Sequence, residues 1–152
     1  MTASQTGTTG KTLLIVEDEA LVAMALRDAL EEAGYHVLDL TERHADALEV
    51  AKACRPDLAL VNIRLAGRDD GIALAEHLKV LGIPVVFISG QSSRARSAAT
   101  AAIASMPKPY DVDDMVIAVA YLLRSLEGDY SAPRPAGLEV FDSSGFDVAP
   151  AA

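Results

Sequence analysis

A chain of 152 residues, 51 % of them hydrophobic, supplies the core of one domain and is too short for two ordinary ones. Its formal net charge of −9 and pI near 4.7 argue against direct nucleic-acid binding, which needs a basic face to neutralise phosphates. Cys54, the single cysteine, rules out an internal disulfide, and no apolar run approaches the length of a membrane span.

Residues 1–10 are polar and lack the apolar stretch of a signal peptide, so a flexible N-terminal segment and a cytoplasmic protein are expected. Thr12–Val16 then reads as a strand and Glu19–Ala33 as a helix stopped by Gly34. Tyr35–Leu40 is the second strand and Glu42–Cys54 the second helix, broken by Pro56-Asp57. Leu58–Val61 forms the third strand, and the third helix runs from Asp70 to Leu81, ending near Gly82. Pro84 opens a fourth strand, Val85–Ile88, at the entrance where its missing N–H matters least. A weak, alanine-rich helix over Ser92–Ala102 leads to a short fifth strand, Ile103–Met106. The last helix starts at Asp111, with Asp114 completing a capping-box-like start, and runs to Leu126.

The alternation predicts an α/β domain over residues 11–127, a (βα)5 doubly wound, five-stranded parallel sheet with helices on both faces. Beyond it, residues 128–152 read as a linker-like, disordered tail, with scattered apolar residues such as Leu138, Phe141 and Phe146. A segment that adds to a sheet edge is the less favoured reading of that tail.

Parallel sheets bind ligands at the carboxyl ends of their strands, and the polar residues of interest all fall there. Glu17 and Asp18 follow the first strand; a divalent cation such as Mg²⁺ would relieve their repulsion, although Asp18-Glu19 would also serve as an acidic helix N-cap. Asn62 closes the third strand, where almost everything around it calls for an aspartate. Ser89 ends the fourth strand and offers a hydroxyl, or simply a turn former. Lys108, between two prolines after the fifth, reaches over the sheet as a point charge or is a solvated loop lysine.

Taken together, the acidic pair, the stretch Pro56 to Gly71, Ser89-Gly90 and Lys108-Pro109 resemble the receiver domain of two-component response regulators, over Lys11 to Leu126. The resemblance implies the flavodoxin-like receiver fold and a phosphoacceptor at position 62, taking its phosphoryl group from a histidine kinase. It implies Mg²⁺ held by Glu17, Asp18, the Asn62 side-chain carbonyl and the Arg64 backbone carbonyl, with Lys108 and Ser89 on the phosphoryl group.

Three departures from that pattern follow. Asn62 replaces the acceptor: an amide oxygen is a poor nucleophile, and the lost charge weakens Mg²⁺ binding. Ser105 stands where many members carry a switch aromatic. The span from Ser89 to Lys108 is short, so the fourth helix is expected to be truncated.

The resulting expectation is a non-enzymatic, single-domain response regulator that is silent to phosphorylation as it stands and signals by protein contact. Its partners would be a sensor histidine kinase or a histidine phosphotransfer protein, with no nucleic acid and no membrane. A phosphorylation-independent pseudo-receiver acting as an adaptor is the alternative, with Asn62 then a natural variant and not a single Asp-to-Asn change in an otherwise competent receiver. The last helix is apolar on most faces from Val112 to Leu123; one stripe is expected to pack on the sheet as core and the surplus to form a homodimer or partner face.

Other signals carry less. Gly10-Lys11-Thr12 ends like a phosphate-binding loop, but the required first glycine falls at Gln5 and the loop precedes a strand. His36, His44 and His77 lack metal-ligand spacing, and Cys54 reads as a small buried hydrophobe.

Overall fold

A computed structural model describes residues 10–65, 70–90 and 92–141 of the chain. Its elements are β1 (Thr12–Val16), α1 (Ala20–Glu32), β2 (His36–Val37), α2 (His44–Cys54), β3 (Leu58–Asn62) and α3 (Gly71–Val80). They continue with β4 (Val85–Ser89), α4 (Ser92–Ser97), β5 (Ala104–Pro107), α5 (Val112–Leu126) and β6 (Glu139–Val140). The sheet runs β2-β1-β3-β4-β5-β6, with β1 to β5 parallel and β6 antiparallel. The predicted parallel α/β architecture is therefore present, with one further strand at the β5 edge.

Side-chain alternation along the strands builds two apolar layers. Leu13, Ile15, Leu58, Leu60, Val86 and Ile88 pack with Leu26 and Leu30 of α1 and Met115 and Leu122 of α5. Leu14, Val16, Ala59, Val61 and Phe87 face the other way, onto Ala47 and Ala51 of α2 and Leu74 and Leu78 of α3. Every residue of β3 and β4 is buried, which is why both read as unbroken apolar runs.

Several local expectations change. α1 stops where predicted, with Gly34 at φ 104 donating its N–H to the Glu31 carbonyl. Glu19 occupies the N-cap of α1, as the acidic N-cap reading of Asp18-Glu19 expects, but its side chain makes no capping hydrogen bond. β2 is only two residues long. α4 stops at Ser97, earlier than the predicted Ala102, and tight i→i−3 turns at Ala98, Ala99 and Ala101 carry the chain to β5. Cys54 ends α2 exposed, not buried, because the buried face of that helix is Ala47 and Ala51.

The largest correction concerns the chain after residue 127. Residues 128–141 are not a free linker. Leu138 and Phe141 are only 4 % and 6 % exposed, and they enter opposite apolar layers. Between them, β6 pairs with Ala104 and Ser105, and the Phe141 N–H donates to the Ile103 carbonyl at 2.8 Å. Glu139 accepts both contacts from Arg96 Nε, at 2.9 and 3.0 Å.

Most of the apolar surplus on α5 is likewise buried. Tyr121, Leu122 and Leu123 are buried in the layer that contains Leu138, and Arg134 lies over the Tyr121 ring at 5.7 Å. The expected homodimer face on that helix is thus largely covered by the chain itself. Residues 142–152 of the expected tail, and 1–9 of the expected N-terminal segment, lie outside the described residues.

Candidate functional site

The parallel register brings the strand ends of the sheet together. β1 ends at Val16 and delivers Glu17, whose N–H is held by the Thr41 carbonyl at 2.9 Å. β3 ends on Asn62, paired in register with Ile88, and β4 ends on Ser89. The Lys108 N–H donates to the Ser89 carbonyl at 2.9 Å, extending β5 past Pro107. Asn62, Ile63, Arg64, Ser89, Gly90 and Lys108 bound a cavity of about 320 Å³. All the residues singled out in the sequence therefore meet at one end of the sheet.

Asn62 sits at the centre and is 4 % exposed. Its Nδ2 donates to Glu17 Oε2 at 2.9 Å and, at a longer 3.4 Å, to Asp18 Oδ1. Its Oδ1 accepts from the Arg64 N–H at 3.3 Å. Glu17 Oε2 also accepts from the Glu19 N–H at 3.1 Å, and Lys108 Nζ stands 3.9 Å from Glu17 Oε1 and 4.0 Å from Glu19 Oε1.

Burial of Glu17 pushes its carboxyl above the usual range, and hydrogen bonding with Asp18 pushes the same way. The Glu19 N–H, the Lys108 charge and the Asn62 amide pull it back. Burial, together with the charges of Glu17 and Glu19, raises the Tyr110 phenol to about 12.

Comparison with known proteins places this geometry. The family model for the response regulator receiver domain matches residues 13–120. The chain belongs to the receiver domain family. It is 31 % identical over 110 residues to the transcriptional regulatory protein PdtaR of Mycobacterium tuberculosis, covering 70 % of this chain and 54 % of that protein. It is 36 % identical over 84 residues to the phyllosphere-induced regulator PhyR of Methylorubrum extorquens, covering 54 % of this chain and 32 % of PhyR. The chain thus spans about half or less of the length of these relatives.

Among solved structures, the signal receiver domain of a modulated diguanylate cyclase from Desulfovibrio desulfuricans matches with a TM-score of 0.60 and 34 % identity, over 68 % of this chain and 86 % of that one. A CheY-like receiver domain protein from Methanospirillum hungatei matches with a TM-score of 0.70 and 24 % identity, over 79 % and 98 % of the two chains, a likeness of fold.

Receiver domains are signalling modules of two-component systems that work with histidine kinases and phosphotransfer proteins and generally bind Mg²⁺ at the acidic pocket. In this receiver the fit to the ion is divided. Glu17 Oε1 is buried and accepts no hydrogen bond, as an oxygen awaiting a cation would. The Asn62 carbonyl, however, is turned to the Arg64 N–H, and its NH₂ group faces the two carboxylates. As arranged, the amide opposes a cation instead of ligating one.

Gly71 belongs to the site, although its motif alone does not say why. Its N–H donates to the Ile63 carbonyl at 2.8 Å, and a Cβ there would run into the Asn62 carbonyl oxygen and Ile63 Cα. The start of α3 thereby presses directly on the backbone that carries Asn62. Asp70 caps the helix through the Ile72 N–H at 2.8 Å and meets Arg94 of α4 at 3.2 Å. Tertiary structure also joins two of the scattered histidines: His44 Nε2 and His77 Nδ1 lie 2.9 Å apart, on the surface between α2 and α3.

Proposed function

We propose that this receiver engages a sensor histidine kinase or a histidine phosphotransfer protein and signals by protein contact without accepting a phosphoryl group itself. The observation that carries the reading is Asn62, an amide at the end of β3, surrounded by Glu17, Asp18 and Lys108. Phosphoryl transfer from a phosphohistidine needs a carboxylate oxygen to attack phosphorus as the P–N bond breaks. A neutral amide whose oxygen is engaged by the Arg64 N–H supplies no such nucleophile.

The remaining pocket retains the roles that the reaction would need. Glu17, Asp18 and the Arg64 main-chain carbonyl are the candidate Mg²⁺ ligands; the Asn62 carbonyl would join them only after the amide turns over. Lys108 and Ser89 are the candidate partners of a phosphoryl group. A groove of about 540 Å³ at the rim, bordered by Leu21, Val22, Ala25 and Tyr110, supports protein contact, since Leu21 is 81 % exposed.

Acetyl phosphate or a phosphorylated histidine kinase, with Mg²⁺ and intact-mass readout, tests this on the chain and on Asn62→Asp. The Asp variant is expected to gain the mass of one phosphoryl group and the chain none. A gain by the chain itself overturns silence. No gain by the Asp variant overturns the phosphorelay reading in favour of a pseudo-receiver adaptor, which the complete engagement of the Asn62 amide within the pocket also accommodates.

A further inference from the structure

We propose that the Asn62 side-chain amide takes the place of the divalent cation, so that the acidic pocket is held together by an internal donor and needs no metal to rest in one arrangement. This rests on reading residue 62 as the phosphoacceptor position, but not on the absence of phosphorylation.

The geometry is that of a bridging donor. One NH₂ group serves two carboxylates, Glu17 at 2.9 Å and Asp18 at 3.4 Å, on adjacent residues that would otherwise repel each other at the end of β1. The other end of the amide is also committed, because Oδ1 accepts from the Arg64 N–H at 3.3 Å. Turning the amide over would set its oxygen against two carboxylates and its NH₂ against an N–H, losing all three contacts. The orientation that blocks a cation is thus the one the surroundings select. Asn62 is 4 % exposed and Glu17 3 %, so bulk water does little of this work.

An aspartate at position 62 would behave oppositely. It would bring a third carboxylate to Glu17 and Asp18 with no donor between them, and only Lys108, 3.9 Å from Glu17 Oε1, would offset the charge. A hard cation with oxygen ligands is the general remedy for such a cluster. Exchange of one oxygen for NH₂ both removes a negative ligand and fills the space between the other two. Glu17 Oε1, which accepts no hydrogen bond, is then left to the Lys108 charge alone.

The test is thermal unfolding of the chain, of Asn62→Asp and of Asn62→Ala, with millimolar MgCl₂ against NaCl of equal ionic strength, and with Mg²⁺ affinity measured by calorimetry. The chain is expected to unfold at the same temperature with and without Mg²⁺. Asn62→Asp should unfold earlier without metal, recover with it, and bind Mg²⁺ about ten- to a hundredfold more tightly than the chain. Asn62→Ala, lacking the bridge, should also unfold earlier without metal.

A rise in the chain's unfolding temperature with Mg²⁺ equal to that of the Asp variant overturns the proposal. So does an Ala variant as stable as the chain in metal-free buffer. Should the Ala variant fail to fold, the comparison of chain and Asp variant decides alone. An Asp variant that binds Mg²⁺ yet takes no phosphoryl group would refute the proposed function and leave this inference standing.

Discussion

Gly71 illustrates how a residue without a side chain can position one that has it. Because a Cβ there would collide with the Asn62 carbonyl and Ile63 Cα, both backbone, little can yield. Gly71→Ala is expected to cost about 1–3 kcal/mol through overpacking. Urea unfolding should show a lower midpoint with an unchanged slope. A neutral result would mean that α3 can back away from β3. This requirement was not legible in the sequence, where Asp70-Gly71 reads only as a helix start. Glu17, Asp18, Asn62, Ser89 and Lys108 were legible, since each polar residue directly follows an apolar strand. Which atom of Asn62 faces the carboxylates was not, because amide orientation depends on acceptors from Glu17 and Asp18 and a donor from Arg64, with partners up to 45 residues apart. The His44–His77 contact escaped for the same reason, its partners being 33 residues apart.

At the scale of elements, the strongest signals were strands buried on both faces and helices with glycine ends, and these were read with errors at their boundaries. The terminal strand, the less favoured reading of the tail, was outweighed because β6 is two residues long and lies among glycine, proline and serine. Its attachment comes mainly from Leu138 and Phe141, not from its ion pair. The Arg96–Glu139 contact has side chains 62 % and 38 % exposed, and pairs of that kind contribute about 0–1 kcal/mol. Phe141→Ala is expected to destabilise by about 3–4 kcal/mol, the lower part of the range for buried aromatics, because its site lies at the sheet edge. Chemical denaturation of Phe141→Ala beside Arg96→Ala checks the ordering; equal effects would assign the attachment to charge. The short α4 follows from its sequence as well, since Ser97 turns its hydroxyl back on the Arg94 carbonyl at 2.7 Å and the alanines beyond it settle into tight turns.

For the whole molecule, charge decides the kind of partner more than fold does. A net charge of −9 repels a polyanion, and no compensating basic face is needed for protein contact. Although one relative is named a transcriptional regulatory protein, duplex DNA at physiological salt is expected to give no mobility shift with this chain, and a shift would overturn the expectation drawn from its net charge. The sequence by itself determined the order of strands and helices, the parallel α/β class and the set of polar residues gathered at the strand ends, because these depend on local periodicity and on the direction of the chain. Tertiary structure alone decided that the segment after α5 closes the β5 edge, that α5 covers its apolar surplus within the chain, and that the Asn62 amide turns its NH₂ to the acidic pair. Those outcomes depend on contacts between residues far apart in sequence, whose partners no local pattern identifies.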